Sequence, residues 1–223
     1  MELIKRILFL YLRYNMEERF TKIYDKAIWG KNYKGEGGSG KGDGTSPDST
    51  HYINLVIKFM KDNDIKTVCD IGAGDWKFSR FIPWKEMGIT YLGVDVVKSV
   101  VESNTKEYSN DHISFKHGDA LTFDCSNYDL VLIKDVLQHF KDEDVVSVCD
   151  RILPNNKFVI TTNGCKFGRT PSKNNWLSGE RSINNQYSYH PLCSKREPLL
   201  KYQHLQKEVS YRRYKEIIIF GNN

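Results

Sequence analysis

The sequence predicts a doubly wound α/β fold, a mostly parallel sheet with helices on both faces and an antiparallel final strand. Three observations predict it. Between residues 67 and 162, five short apolar runs alternate with helix-like segments. Strands buried on both faces read as continuous apolar runs, and alternation with helices implies parallel pairing. The first run passes into a glycine-bearing turn, Val68-Cys-Asp-Ile-Gly-Ala-Gly-Asp-Trp76, where sheets of this class bring backbone close to a ligand. The chain then closes on Glu216-Ile-Ile-Ile-Phe220, a further strand.

In chain order, residues 2–28 read as helical. Their apolar run 7–12, flanked by Lys5, Arg6 and Arg13, is far shorter than the ~20 residues of a membrane span. It also lacks a small-residue cleavage site, so it reads as an amphipathic helix of the fold and not as a signal peptide. Seven glycines then crowd into residues 30–44 (Gly30, Gly35, Gly37, Gly38, Gly40, Gly42, Gly44), which forbids a regular element. Ser49 or Thr50 caps a helix carrying Leu55, Val56, Phe59 and Met60 at helical spacing. Strands are expected at 67–71, 90–94, 113–116, 128–133 and 157–162, with helices at 76–84, 97–108, 136–140 and 144–153. Residues 163–198 are polar, aromatic and helix-poor, and an irregular stretch of that length in a compact domain is usually functional or disordered. No repeat or linker is visible, so one domain is expected over 1–223: N-terminal helices and a glycine-rich lid (1–64), a binding core (65–162), an insertion (163–198) and closing strands (199–223).

The 223 residues, 39% hydrophobic with net charge +5, suffice for a core without staples and exclude collagen-like, coiled-coil and disordered chains. The 33 basic and 28 acidic residues are spread along the chain, which gives no argument for nucleic acid. Cys69, Cys125, Cys149, Cys165 and Cys193 are odd in number, widely spaced and lack a CxxC pair. That pattern disfavours a disulfide framework and a zinc site, and suits reduced thiols in a cytoplasmic protein.

The turn after the first strand narrows the ligand. A nicotinamide dinucleotide site wants its third glycine at position 77, which is Lys77, and Asp70 would repel the pyrophosphate. A cofactor with a cationic amino-acid end suits Asp70 instead, which points to S-adenosyl-L-methionine. Asp70, Gly72 and Gly74 resemble the first motif of the class I S-adenosylmethionine-dependent methyltransferases, with Trp76 where a third glycine is usual. Tyr91-Leu-Gly-Val-Asp95 resembles the second strand of that family, and Phe115-Lys-His-Gly-Asp119-Ala120 the segment that reaches the adenine. The resemblance spans about residues 65–165. It implies a Rossmann-like sheet, with both ribose hydroxyls on Asp95 and the exocyclic amine on Asp119.

In that family the end of the fourth strand faces the methyl group. Here it continues as Lys134-Asp-Val-Leu-Gln-His-Phe140, without the Asn/Asp-Pro-Pro-aromatic run of amine-modifying DNA enzymes. A helix starting near Asp135 would set Asp135, Gln138 and His139 on one face. A hydroxyl acceptor needs a base, and His139 or Asp135 is the candidate. Lys134 is grouped with the cofactor-side residues, and no metal is expected, since two ligand types do not make a site.

The pairs Trp29-Gly30 and Ser39-Gly40, with Asn175, Gly179 and Arg181, are similar to a narrower subgroup that modifies sugars and surface glycans in bacteria, phages and large algal viruses. That likeness implies a sugar hydroxyl in a glycan or glycan precursor. The glycine-rich segment is then a lid that orders over the cofactor, with Ser39 toward the methionine carboxylate. The insertion supplies an acceptor wall of Trp176, Arg181, Tyr187, Tyr189 and His190. The rival readings are an RNA ribose methyltransferase, which lacks a visible Lys/Arg stripe for phosphates, and a non-catalytic S-adenosylmethionine sensor or partner subunit, suggested by Trp76.

Overall fold

The computed structural model describes residues 16–40, 47–126, 128–165, 191–212 and 215–222. Their contacts gather into two compact units, Met1–Phe123 and Asp124–Asn223. The first contains α1 (16–25), α2 (Pro47–Asp62), β1 (Thr67–Ile71), β2 (Thr90–Asp95), α3 (Lys98–Tyr108) and β3 (Ile113–His117). The strands lie in the order β3-β2-β1 and pair in parallel, with Cys69 beside Leu92 and Tyr91 beside Ile113. Parallel neighbours need a crossover, and α3 supplies the one between β2 and β3. In α2, Ile53, Val56 and Met60 fall on one stripe and are buried, as the helical spacing requires.

The helix expected over 76–84 does not form. A single 3₁₀ turn, Ser79–Phe81, stands there, and Trp76 takes a left-handed φ of +53°. Pro83 accounts for the stop, because the residue before proline is driven out of the helical region, and Ile82 is extended at ψ 127°.

The second unit contains β4 (Leu130–Lys134), a 3₁₀ turn (Leu137–His139), α4 (Asp142–Ile152), β5 (Phe158–Gly164), a second 3₁₀ segment (Leu199–Leu205), β6 (Gln206–Arg212) and β7 (Lys215–Gly221). Its order is β4-β5-β7-β6, with β4 and β5 parallel across α4 and the closing strands antiparallel. Three acids in the first turn of α4 and Arg151 in its last complement the helix dipole. Val145, Val148, Cys149 and Ile152 make its buried stripe. Each such aliphatic side chain, fully buried, contributes about 1.5–3 kcal/mol.

The helix expected over 136–140 is likewise replaced, here by one 3₁₀ turn. Asp135 has φ +61°, which no helical first turn tolerates, so Asp135, Gln138 and His139 do not share a helix face. Five predicted strands are present with shifts of one or two residues at their ends, and the closing antiparallel strand has a partner, β6. No described helix is long and apolar enough to cross a membrane.

Candidate cofactor cradle and acceptor-side cluster

In the first unit, the chain leaves β1 through Gly72 and Gly74, both left-handed at φ +76° and +57°. The turn is fastened from several sides. The amides of Gly72 and Ala73 donate to the Val94 carbonyl at 2.7 and 3.0 Å. The Gly74 amide donates to Asp95 Oδ2 at 2.9 Å, and Asn104 Nδ2 on α3 donates to the Gly74 carbonyl at 2.8 Å. Asp95 Oδ1 accepts from the Val97 amide at 2.9 Å. Burial pushes the Asp95 carboxyl above its usual range, and the amides of Val97, Gly74 and Val96 pull it only part of the way back. Asn104 escaped the sequence reading, although a polar residue four after Val100 and three after Val101 on an apolar stripe is a visible sign of a buried hydrogen bond.

Of the other two acids, Asp70 stands one residue before the end of β1 and Asp119 two residues beyond β3. Asp70 is 2% exposed and accepts from the Tyr91 hydroxyl at 2.7 Å and the Ser79 hydroxyl at 3.2 Å. Asp119 Oδ1 accepts from the Leu121 amide at 2.8 Å. Its Oδ2 is buried with no hydrogen-bond partner among the described residues, and Ala120 beside it is buried. A buried acceptor left unpaired costs free energy until a donor arrives. Trp76 is spent on packing, with ring centroids 4.8 Å from Tyr108, 5.3 Å from Phe115 and 5.6 Å from Tyr91.

The described part of the glycine-rich segment buttresses this turn. The Ser39 and Tyr24 hydroxyls share a 2.7 Å hydrogen bond, and Ser39 Oγ accepts from the Asp75 amide at 2.8 Å. The Ser39 amide donates to Asp75 Oδ2 at 3.1 Å, and Lys77 Nζ donates to the Gly40 carbonyl. Trp29 meets Tyr24 edge-on at 6.4 Å, so the Trp-Gly and Ser-Gly pairs are joined through one tyrosine. Gly37 is required by close approach, since a Cβ there would lie 1.8 Å from the Tyr24 carbonyl oxygen. Residues 41–46 lie outside the described residues.

At Gly74, a Cβ would stand 2.3 Å from Ser39 Oγ and 3.1 Å from Ser39 Cβ. Gly74→Ala is therefore expected to destabilise the protein by about 1–3 kcal/mol from the left-handed φ alone, and further through the clash. Thermal melts of Gly74→Ala, Ser39→Gly and the double variant check this. Recovery of part of the loss in the double variant is expected, because Ser39→Gly removes both clashing atoms.

In the second unit, Asp135 follows β4 and is gripped by two lysines: Lys134 Nζ at 2.7 Å and Lys215 Nζ from β7. Burial pushes the Asp135 carboxyl up, but the two ammonium charges prevail and hold it at about 2. Gln138 Oε1 accepts from the Gly164 amide at 2.6 Å, pinning the 3₁₀ turn that presents the half-buried His139. Lys215 escaped the sequence reading, because nothing local couples it to a residue eighty positions earlier. Trp176, Arg181, Tyr187, Tyr189 and His190, with Asn175 and Gly179, lie outside the described residues.

Residues 69–161 match the family described as a methyltransferase domain. The match covers 93 of the 223 residues. No curated protein matches the sequence. Among solved structures, the methyltransferase domain of a bacterial Hen1 protein is similar at TM-score 0.55 and 15% identity, covering 78% of this chain and 98% of that one. Magnesium protoporphyrin IX methyltransferase from Synechocystis, with bound SAH, gives TM-score 0.56 at 16% identity over 98% of this chain and 100% of that one. Mitomycin 7-O-methyltransferase gives TM-score 0.57 at 18% identity over 78% of this chain and 54% of that one. At these identities the likeness speaks to the fold.

Methyltransferase domains of this fold draw on S-adenosylmethionine, and the cradle fits it. The unpaired Asp119 Oδ2 suits an amine donor such as that of adenine. Each Asp95 oxygen keeps a lone pair for a ribose hydroxyl, and the Asp70 carboxylate favours a cationic amino-acid end.

Proposed function

We propose that the protein is an S-adenosylmethionine-dependent O-methyltransferase, acting as one catalytic domain on a sugar hydroxyl in a glycan or glycan precursor. The observation that carries the cofactor reading is Asp119 Oδ2, a buried acceptor awaiting a donor at the third of three strand-end acids. Asp95 holds the ribose, Asp119 the adenine amine, and Asp70 the amino-acid end. Ser39 acts through Asp75 and Tyr24 to keep the turn in shape. The cofactor supplies an electrophilic sulfonium methyl. The chain's own task is to orient the acceptor and remove its proton, which we assign to His139. Lys134 and Lys215 keep Asp135 ionised, so it serves as a fixed negative charge. The sugar reading rests on the Trp29-Gly30 and Ser39-Gly40 pairs, which meet at Tyr24 beside the cradle turn.

Calorimetry with S-adenosylmethionine and its demethylated product, followed by mass spectrometry of glycan, RNA and phenol acceptors, tests both parts. The expected result is binding of both forms of the cofactor and one added methyl on a glycan. Methylation of RNA alone overturns the acceptor, and binding without any methylated product overturns the enzyme reading.

A further inference from the structure

Two cysteines that sequence spacing sets aside come together in the second unit. Cys165 follows β5 directly, and Cys193 lies beyond residues 166–192. Each brings its sulfur to the carboxylate of Glu216 on β7, and the three ligand atoms all lie within 4.8 Å of one another. Cys193 Sγ is 3.8 Å from Glu216 Oε1. Tetrahedral zinc with Zn–S bonds of about 2.3 Å and a Zn–O bond of about 2.1 Å sets a sulfur and a carboxylate oxygen about 3.6 Å apart, so the Cys193–Glu216 separation is already close to what a small thiophilic cation requires.

Glu216 is the second part of the argument. It is fully buried on β7, opposite Asn163 of β5, where a strand of consecutive isoleucines otherwise fills the core. A carboxylate is expensive at such a position unless hydrogen bonds or a cation compensate. It is oriented with care: Oε2 accepts from the Ser194 amide at 2.6 Å and Oε1 from the Ser194 hydroxyl at 2.7 Å. Outer partners that aim a ligating carboxylate and leave it facing other ligand atoms are the usual surroundings of a metal ligand. Cys193 is only half-buried, which gives an entry path.

We propose that Cys165, Cys193 and Glu216 bind a zinc-class divalent cation. Two thiols lose their protons to solvent on binding, two S–metal bonds and one O–metal bond form, and water completes the tetrahedron. Two sulfurs with one carboxylate select zinc or cobalt over magnesium or calcium. The amide of Leu192 already donates to the Gly164 carbonyl at 2.9 Å, so the cation ties together β5, the chain at 192–194 and β7. The CxxC criterion misses this site because its two sulfur ligands are separated by a segment of 27 residues, 166–192.

The test uses the full chain, reduced, stripped with a chelator and titrated anaerobically with Co²⁺. One equivalent is expected, with thiolate-to-cobalt charge transfer in the near ultraviolet, displaced by Zn²⁺. Cys193→Ala and Cys165→Ser are expected to lose the charge-transfer band. Ser194→Ala is expected to weaken Co²⁺ binding by about 10–100-fold through the misaimed carboxylate. Circular dichroism and binding of the demethylated cofactor report whether each variant is folded, and Cys193→Ala, at the half-buried position, keeps the test open if Cys165→Ser misfolds. Absence of Co²⁺ uptake by the wild type, an unchanged band in Cys193→Ala, or a Cys165–Cys193 disulfide in place of metal uptake would overturn the proposal.

Discussion

Replacing Asp95 with alanine is expected to weaken binding of the demethylated cofactor by about 10²–10⁴-fold, measured by calorimetry. Two hydroxyl donors to one carboxylate are charge-assisted bonds of about 1.5–3 kcal/mol each, and both vanish together. The same substitution strips the acceptor from the amides of Gly74 and Val97, at 2.9 Å each, so the turn loses its anchor as well. Asp95→Asn separates the two losses, since its amide oxygen keeps one acceptor while the carboxylate charge is gone. The pH dependence gives an independent check. Burial leaves the Asp95 carboxyl above its usual range, so protons compete with the ribose for it, and affinity falls as pH drops through that raised value. The sign for folding follows from the same shift. A carboxyl harder to ionise in the folded chain lowers stability as pH rises from its unfolded value through its folded one. Both dependences should disappear in Asp95→Ala; wild-type affinity in that variant would remove Asp95 from the cradle.

The strand ends and the glycine turn of the candidate cradle were legible because their logic is local. Asp70, Asp95 and Asp119 each lie at or just beyond the end of an apolar run, and a run of that kind can scarcely be anything but a buried strand. Gly72 and Gly74 mark the turn because φ values of +76° and +57° exclude most other residues. What the chain hides is long-range. Tyr24 and Ser39 reach the turn from far upstream, and only the fold brings them there. The expected helix through Asp135 fails for the same kind of reason. Its left-handed backbone donates its amide to the Thr162 carbonyl of β5 at 2.7 Å, a tertiary contact that overrides the helical periodicity of residues 136–140. The helix expected at 76–84 is a different case, because Pro83, a local signal, drives Ile82 out of the helical region whatever the apolar spacing before it.

His139→Ala is expected to lower kcat by about 10²–10⁴-fold, the usual contribution of a positioned general base, while binding of the demethylated cofactor stays at the wild-type level. The pH profile distinguishes this from a packing defect. A neutral imidazole accepts the acceptor's proton and an imidazolium cannot, so wild-type kcat falls as pH drops through the imidazole pKa, and His139→Ala should lose that limb while added imidazole restores part of the rate. Asp135 predicts something else. Its carboxylate, held at about 2 by Lys134 and Lys215, stays ionised across the whole working range and is a weak base throughout. Were it the base, kcat would be flat in that range, Asp135→Asn would abolish turnover and His139→Ala would spare it. The expected outcome for Asp135→Asn is a smaller loss with the acid limb intact, because removing a fixed negative charge frees two ammonium groups beside the turn that carries His139 without removing the proton acceptor itself.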